Sequence, residues 1–210
     1  MAVPAVSRAR LVVLASGGGR TLENLQQRIA RGELHAEIVL VVVTRGDIGA
    51  AERARRLGLV SLVIGPRSHP DREARERLLV AAILEARPDL VVLAGWLQLL
   101  PIPPQLEGRV LNIHPALLPA YGGQGMYGHH VHDAVVRDRV PVTGCTVHFA
   151  SSEYDRGPIV LQTAVPLSGD EDADAVAAQV FAAETEAFPE AIMMLLEGRA
   201  EWVDGSVRFA

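Results

Sequence analysis

The strongest constraint in this chain is a rhythm of short, almost unbroken apolar runs. RLVVLA (10–15), EIVLVVV (37–43), LVSLVI (59–64), PDLVVLAG (88–95) and RVLNIH (109–114) alternate with amphipathic stretches. A strand with one wet face alternates apolar and polar residues, whereas a strand apolar along its length is covered on both faces. The segments between have helical spacing. TLENLQQRIARG (21–32) puts Leu22, Leu25 and Ile29 on one side and stops at Gly32, GAAERARRLG (49–58) stops at Gly58, and PDREARERLLVAAILEAR (70–87) makes a longer helix. Strand, helix, strand in repetition predicts an α/β chain with a parallel sheet between two helical layers.

After residue 114 the rhythm changes. Residues 119–128, PAYGGQGMYG, read as a loop and HHVHDAVVRDR (129–139) as a short helix. GCTVHFA (144–150) and PIVLQTAV (158–165) read as strands around the loop SSEYDRG. A long helix is expected over 172–198, bent at Pro189. EWVDGSVRF sets Asp-Gly between alternating residues, the mark of a hairpin. No repeat, linker or low-complexity segment interrupts the chain. The expectation is one α/β domain, Rossmann-like, with a mostly parallel sheet of about seven strands, helices on both faces and a C-terminal hairpin.

Composition narrows the partners. Hydrophobic residues make up 49% of 210, enough for a sizeable core. The formal charge of −5 offers no basic excess to hold a nucleic-acid backbone. All 20 cationic residues are arginine. Without lysine there is neither a Walker-type phosphate loop nor a Schiff-base amine. A single cysteine, Cys145, rules out an intramolecular disulfide and fits a reducing compartment. The N-terminus lacks a signal-peptide layout, and no run reaches the roughly 20 apolar residues of a membrane span. A soluble, cytoplasmic protein is expected.

Two motifs carry chemistry. In VLNIHPALLP (110–119), Asn112 and His114 stand two apart in an apolar run, so on a strand they share a face, and Pro115 breaks the ladder beside them. A carboxamide can donate to a developing oxyanion, and an imidazole exchanges protons near neutrality. A lone histidine is more often structural, but the Asn-x-His-Pro pairing tips this one towards function. In ASGGGRTLEN, contiguous glycines lead from the first strand into its helix, where backbone N–H groups and the helix dipole favour an anion. A tight turn needing small residues explains the glycines equally well. Asp155, in the loop SSEYDRGP, either orients His114 as the carboxylate of a triad does or satisfies its own turn. Spacing alone favours the turn. His129, His130 and His132 do not share a helix face well enough to favour a metal site. His35, His69 and His148 read as incidental, and Ser16 lies outside any Gly-x-Ser-x-Gly elbow.

Taken together, LNIHPALLP, EYDRGPIVLQ and the glycine turn resemble the glycinamide ribonucleotide (phosphoribosylglycinamide) formyltransferases of the folate-dependent formyltransferase superfamily, over nearly the whole chain. The resemblance implies formyl transfer from the co-substrate 10-formyltetrahydrofolate in purine synthesis, with no metal. It implies one domain over 1–210, with a phosphate-binding part over 1–105 and a folate and catalytic part over 106–210. Relatives acting on initiator tRNA carry an extra C-terminal domain and formyltetrahydrofolate hydrolases an N-terminal one, and the length here suits neither. By resemblance Asn112, His114 and Asp155 are catalytic, with Asn112 and His114 stabilising a tetrahedral intermediate and Asp155 assisting, and Gly18, Gly19, Arg20 and Thr21 grip the substrate phosphate. Glu184 meets the ribonucleotide. Arg72, Leu97, Gln98, Leu99, Leu100, Ser151, Ser152, Glu153 and Tyr154 form the folate pocket. The implied partners are small molecules, not nucleic acid or membrane, and the assembly a monomer or homodimer.

The chain departs from the family pattern in three places. Arg20-Thr21 stands where Ser-Asn is common, Gln98 where Arg is frequent, and the loop before the HHVHD segment is longer than usual. Alternatives stay open at this level: another small amine or water as formyl acceptor, a non-catalytic sensor of a phosphorylated metabolite, or a metal hydrolase using the histidine cluster.

Overall fold

In a computed structural model, which describes residues 8–210, the expected rhythm becomes a doubly wound sheet. In chain order the elements are β1 (Ala9–Ala15), α1 (Arg20–Ala30), β2 (Ala36–Val43), α2 (Gly49–Arg56), β3 (Ser61–Val63), α3 (Arg72–Glu85) and β4 (Leu90–Leu93). A short 3-10 helix (Pro104–Leu106) leads to β5 (Val110–His114), α4 (His129–Asp138), β6 (Val142–Phe149), β7 (Ile159–Pro166) and α5 (Ala173–Leu196). The hairpin of β8 (Ala200–Val203) and β9 (Ser206–Phe209) closes the chain. The absence of an N-terminal leader was read on a segment whose first residues, 1–7, lie outside those described. Among the described residues no helix is long and apolar enough to cross a membrane.

The sheet order is β3-β2-β1-β4-β5-β6-β7. The first five strands pair in parallel, while β6 runs antiparallel to both β5 and β7. Alternate residues of each central strand feed two cores. In β1, Leu11, Val13 and Ala15 belong to the core that also holds Leu22 and Leu25 of α1, Ala50 and Ala54 of α2, Val135 of α4 and Val176, Phe188 and Ile192 of α5. Val12 and Leu14 face the other way, towards Leu79 and Ile83 of α3. Both faces of the sheet are thus dry at β1 and β4, which is why those strands carry no polar alternation.

One expectation needs correction. The third strand was expected over 59–64, but β3 has three residues and its side chains are exposed. It lies at the sheet edge, where an apolar run gains less burial than in the middle. Pro189 is buried within α5, and the helix runs through it from Ala173 to Leu196. The capped helices begin where short acidic side chains can accept backbone hydrogen bonds: Asp71 from Ala74 N at 2.8 Å and Asp172 from Ala175 N at 2.8 Å.

Candidate active site

The strand order reverses between β1 and β4. The chain winds outward from β1 to β3, then returns to build β4 on the other side of β1. The loops leaving the carboxyl ends of these two strands therefore part, and a crevice opens between them. The glycine turn follows β1, and Trp96 to Leu100 follow β4. Together they wall a cavity of about 610 Å³. Gly18, Gly19, Arg20, Thr21, Leu97, Gln98, Leu99, Leu100, Asn112, His114, Ser151, Glu153, Tyr154, Asp155 and Glu184 all line it. Arg72 and Ser152 do not. They line an adjoining groove of about 640 Å³ that shares Leu97, Gln98, Leu99, Glu153 and Tyr154 with the cavity.

The glycine turn is shaped from below by α2. Ala50 N donates to the Gly17 carbonyl at 3.1 Å, and Arg53 Nη1 donates to the Gly18 carbonyl at 2.8 Å. Arg53 is itself held by Glu23 at 2.9 Å. Gly19 has φ +81, and a Cβ there would lie 2.5 Å from the Ala50 Cα, so position and conformation both demand glycine. Gly19 caps α1 with no side-chain hydrogen bond, leaving first-turn N–H groups available to a ligand.

Asn112, His114 and Asp155 meet. Asp155 Oδ2 is 3.4 Å from His114 Nδ1, and Asn112 Nδ2 donates to Asp155 Oδ1 at 3.3 Å. The shared face read from the period-two spacing brings both β5 side chains to one carboxylate. Asp155 holds a left-handed backbone, φ 56, a conformation that Asp tolerates better than most residues. Gly157 beside it would place a Cβ 1.7 Å from the Phe149 carbonyl oxygen, so only glycine lets this loop lie against the sheet. Asp155 Oδ2 also accepts from Gly123 N at 2.9 Å.

His148, read as incidental, belongs to the same cluster. Its Nε2 is 3.1 Å from Asn112 Nδ2 and 3.5 Å from Asp155 Oδ1, and the residue is 1% exposed. The cause is register: in the antiparallel pair β5·β6, Asn112 stands directly opposite His148. The long connection between those strands hides this from the sequence.

Protonation follows from the partners. A carbonyl only accepts, so His114 Nε2 donates to the Tyr121 carbonyl at 2.8 Å, and His148 Nδ1 donates to the Phe149 carbonyl at 2.8 Å. In neutral His148 the other nitrogen is then the acceptor for Asn112. Burial pushes the His114 pKa below its ordinary 6.5, opposed by the charge of Asp155 and the Tyr121 carbonyl. Burial works to raise Asp155, but its contacts with His148 and His114 and the Gly123 N–H together hold it below the usual range. The resting pair is a neutral imidazole whose bare Nδ1 faces a carboxylate, an arrangement ready to take up one proton. Both Asn112 amide hydrogens are engaged, by Asp155 and His148. Donation to an oxyanion therefore requires one of them to change partner.

The histidine cluster diverges. His132 is buried and borders the cavity, its pKa pushed down to about 4 by burial first and then by His129, whereas His129 and His130 are exposed. Among the described residues no group of three or more His, Cys, Asp or Glu is placed to hold a metal ion. Burial pushes the Glu184 carboxyl up to about 7, with Arg20 opposing.

Known proteins share this chain's pattern. The family described as formyl transferase matches residues 9–192. The chloroplastic phosphoribosylglycinamide formyltransferase of Vigna unguiculata is 34% identical over 200 residues, covering 94% of this chain and 64% of that protein. The chain thus spans a little under two thirds of that relative. Phosphoribosylglycinamide formyltransferase of Escherichia coli (strain K12) is 32% identical over 203 residues, covering 93% of each. The crystal structure of glycinamide ribonucleotide transformylase 1 from Symbiobacterium toebii superimposes with a TM-score of 0.85 at 36% identity, covering 97% of this chain and 94% of that one.

Proposed function

The chain belongs to the formyl transferase family, and we propose that it transfers a formyl group from 10-formyltetrahydrofolate to the amine of 5'-phosphoribosylglycinamide in purine biosynthesis. The observation that carries the reading is the meeting of Asn112, His114 and Asp155 in one cavity with the glycine turn. We assign the substrate phosphate to Gly18, Gly19, Arg20 and Thr21, and the ribonucleotide's other contact to Glu184. The folate is assigned to Leu97, Gln98, Leu99, Leu100, Ser151, Ser152, Glu153 and Tyr154, with Arg72 in the adjoining groove.

The free amine attacks the formyl carbon on folate N10. A carbon–nitrogen bond forms, and the carbonyl electron pair moves to oxygen. Asn112 turns an amide hydrogen to that oxyanion. The new ammonium loses a proton, through water, to the His114–Asp155 pair, and the resulting imidazolium is held by the carboxylate and the Tyr121 carbonyl. The proton is returned to N10, its bond to carbon breaks, and the carbonyl reforms on the product. The neutral resting state of His114 suits it to accept first and donate second. A lone buried thiol at Cys145 fits the cytoplasm, and the protein acts on small molecules as a monomer or homodimer.

The test is to incubate the protein with 10-formyltetrahydrofolate and glycinamide ribonucleotide, and to follow formylated product and released tetrahydrofolate. Stoichiometric appearance of both is expected. Formate in place of formylated amine would instead mark water as the acceptor.

A further inference from the structure

Arg20 is held differently from the arginines around it. Arg53 and Arg56 both pair with Glu23, and Arg28 with Glu33 and Glu186. Arg20 has no ion pair among the described residues. Its guanidinium carbon instead sits 3.8 Å above the centroid of the Phe181 ring. A carboxylate fixes a guanidinium by using up its N–H donors. A ring face fixes the plane of the group and leaves its N–H edge free. Glu184, one helical turn beyond Phe181 on α5, attracts Arg20 and borders the same cavity. Without the ring, the guanidinium is free to pair with that carboxylate.

We propose that Phe181 is a positioning residue: its ring holds the Arg20 guanidinium beside the glycine turn with its donors free for a phosphate monoester. The inference rests on the assignment of the substrate phosphate to this turn. The arginine and the aromatic ring form one device built from α1 and α5. A planar guanidinium whose N–H edge is free can take two phosphate oxygens at once.

Calorimetric binding of ribose 5-phosphate to the full-length protein tests this without relying on turnover. Arg20→Ala is expected to weaken binding by about tenfold or more. Phe181→Leu should weaken it roughly 3- to 10-fold, and Phe181→Tyr should restore it. In an Arg20→Ala background, Phe181→Leu should add nothing. An equal loss from Phe181→Leu in both backgrounds would mean that the ring acts by packing alone, and the proposal falls. It falls also if ribose 5-phosphate binds equally well to wild type and Arg20→Ala. Should Phe181→Leu fold poorly, Phe181→Met removes the ring while keeping the bulk. Formyl transfer measured on the same proteins separates the two readings. Absent transfer with the expected binding pattern overturns the enzymatic assignment and leaves the Phe181 role standing, while transfer with additive losses does the reverse.

Discussion

His114 has a carbonyl on one nitrogen and a carboxylate facing the other, so its protonation is set by the protein's own groups. Asn112→Ala and His114→Ala should each lower turnover on the order of 100- to 1,000-fold, with glycinamide ribonucleotide binding nearly unchanged by calorimetry. Near wild-type turnover in either variant would remove that residue from the mechanism. A second prediction concerns pH. His114 must be neutral to accept a proton, and its pKa lies below 6.5, so activity should fall only on the acid side of that value. The Asp155 charge works to raise the His114 pKa against burial. Asp155→Asn should therefore shift the acid limb of the kcat/KM profile further down while lowering its plateau. A limb that stays in place or moves up would show that the two groups are not coupled. Asn112 and His114 were legible because a strand's period is fixed at two. His148 was not, because a register set across a long loop leaves no trace in local sequence.

The elements differ in how strictly they specify the site. The turn between β1 and α1 is the strictest, since Gly19 meets a backbone demand and a close approach to α2 at once. Gly19→Ala should destabilise the protein by about 1–3 kcal/mol in urea unfolding and weaken phosphate binding, because relief of the contact moves the turn off α2. Unchanged stability would mean that the turn is not braced as described. The loop after β4 was legible as a site only through family resemblance, for Leu97, Leu99 and Leu100 are apolar residues like many others. Arg72 was grouped with that loop, yet α3 packs on the opposite core from α1 and α5, so the side chain at its first turn borders the neighbouring groove. The apolar content of 59–64 announced a strand but not its place at the edge, because hydrophobicity reports a preference for burial and not a neighbour in the sheet.

At the scale of the whole molecule, the alternating rhythm was enough to give a covered parallel sheet, but not the strand order that opens the crevice. That order depends on which side of β1 the chain returns to, and its neighbours β2 and β4 are both apolar runs. Global stability should register the cavity too. Glu184 ionises near 4.5 when unfolded and at about 7 when folded. Between these values the native state holds the extra proton, so this group's contribution to stability falls as pH rises through that window, and its penalty is complete above it. The melting temperature of Glu184→Gln should gain on wild type from about pH 5 to about pH 8. A constant difference across that range would place the carboxyl in ordinary solvent.

The two oxygens of Asp155 answer to different masters. One faces Asn112 and His148 in the sheet, and the other faces His114 and the amide of Gly123 in the long segment before α4. Reactivity and local architecture are therefore wired through one side chain whose backbone leaves little room for replacement. Any attempt to retune the acidity of this centre by substitution at 155 disturbs the neighbouring segment in the same stroke, so adaptation to a new acceptor has its freedom elsewhere, along the walls.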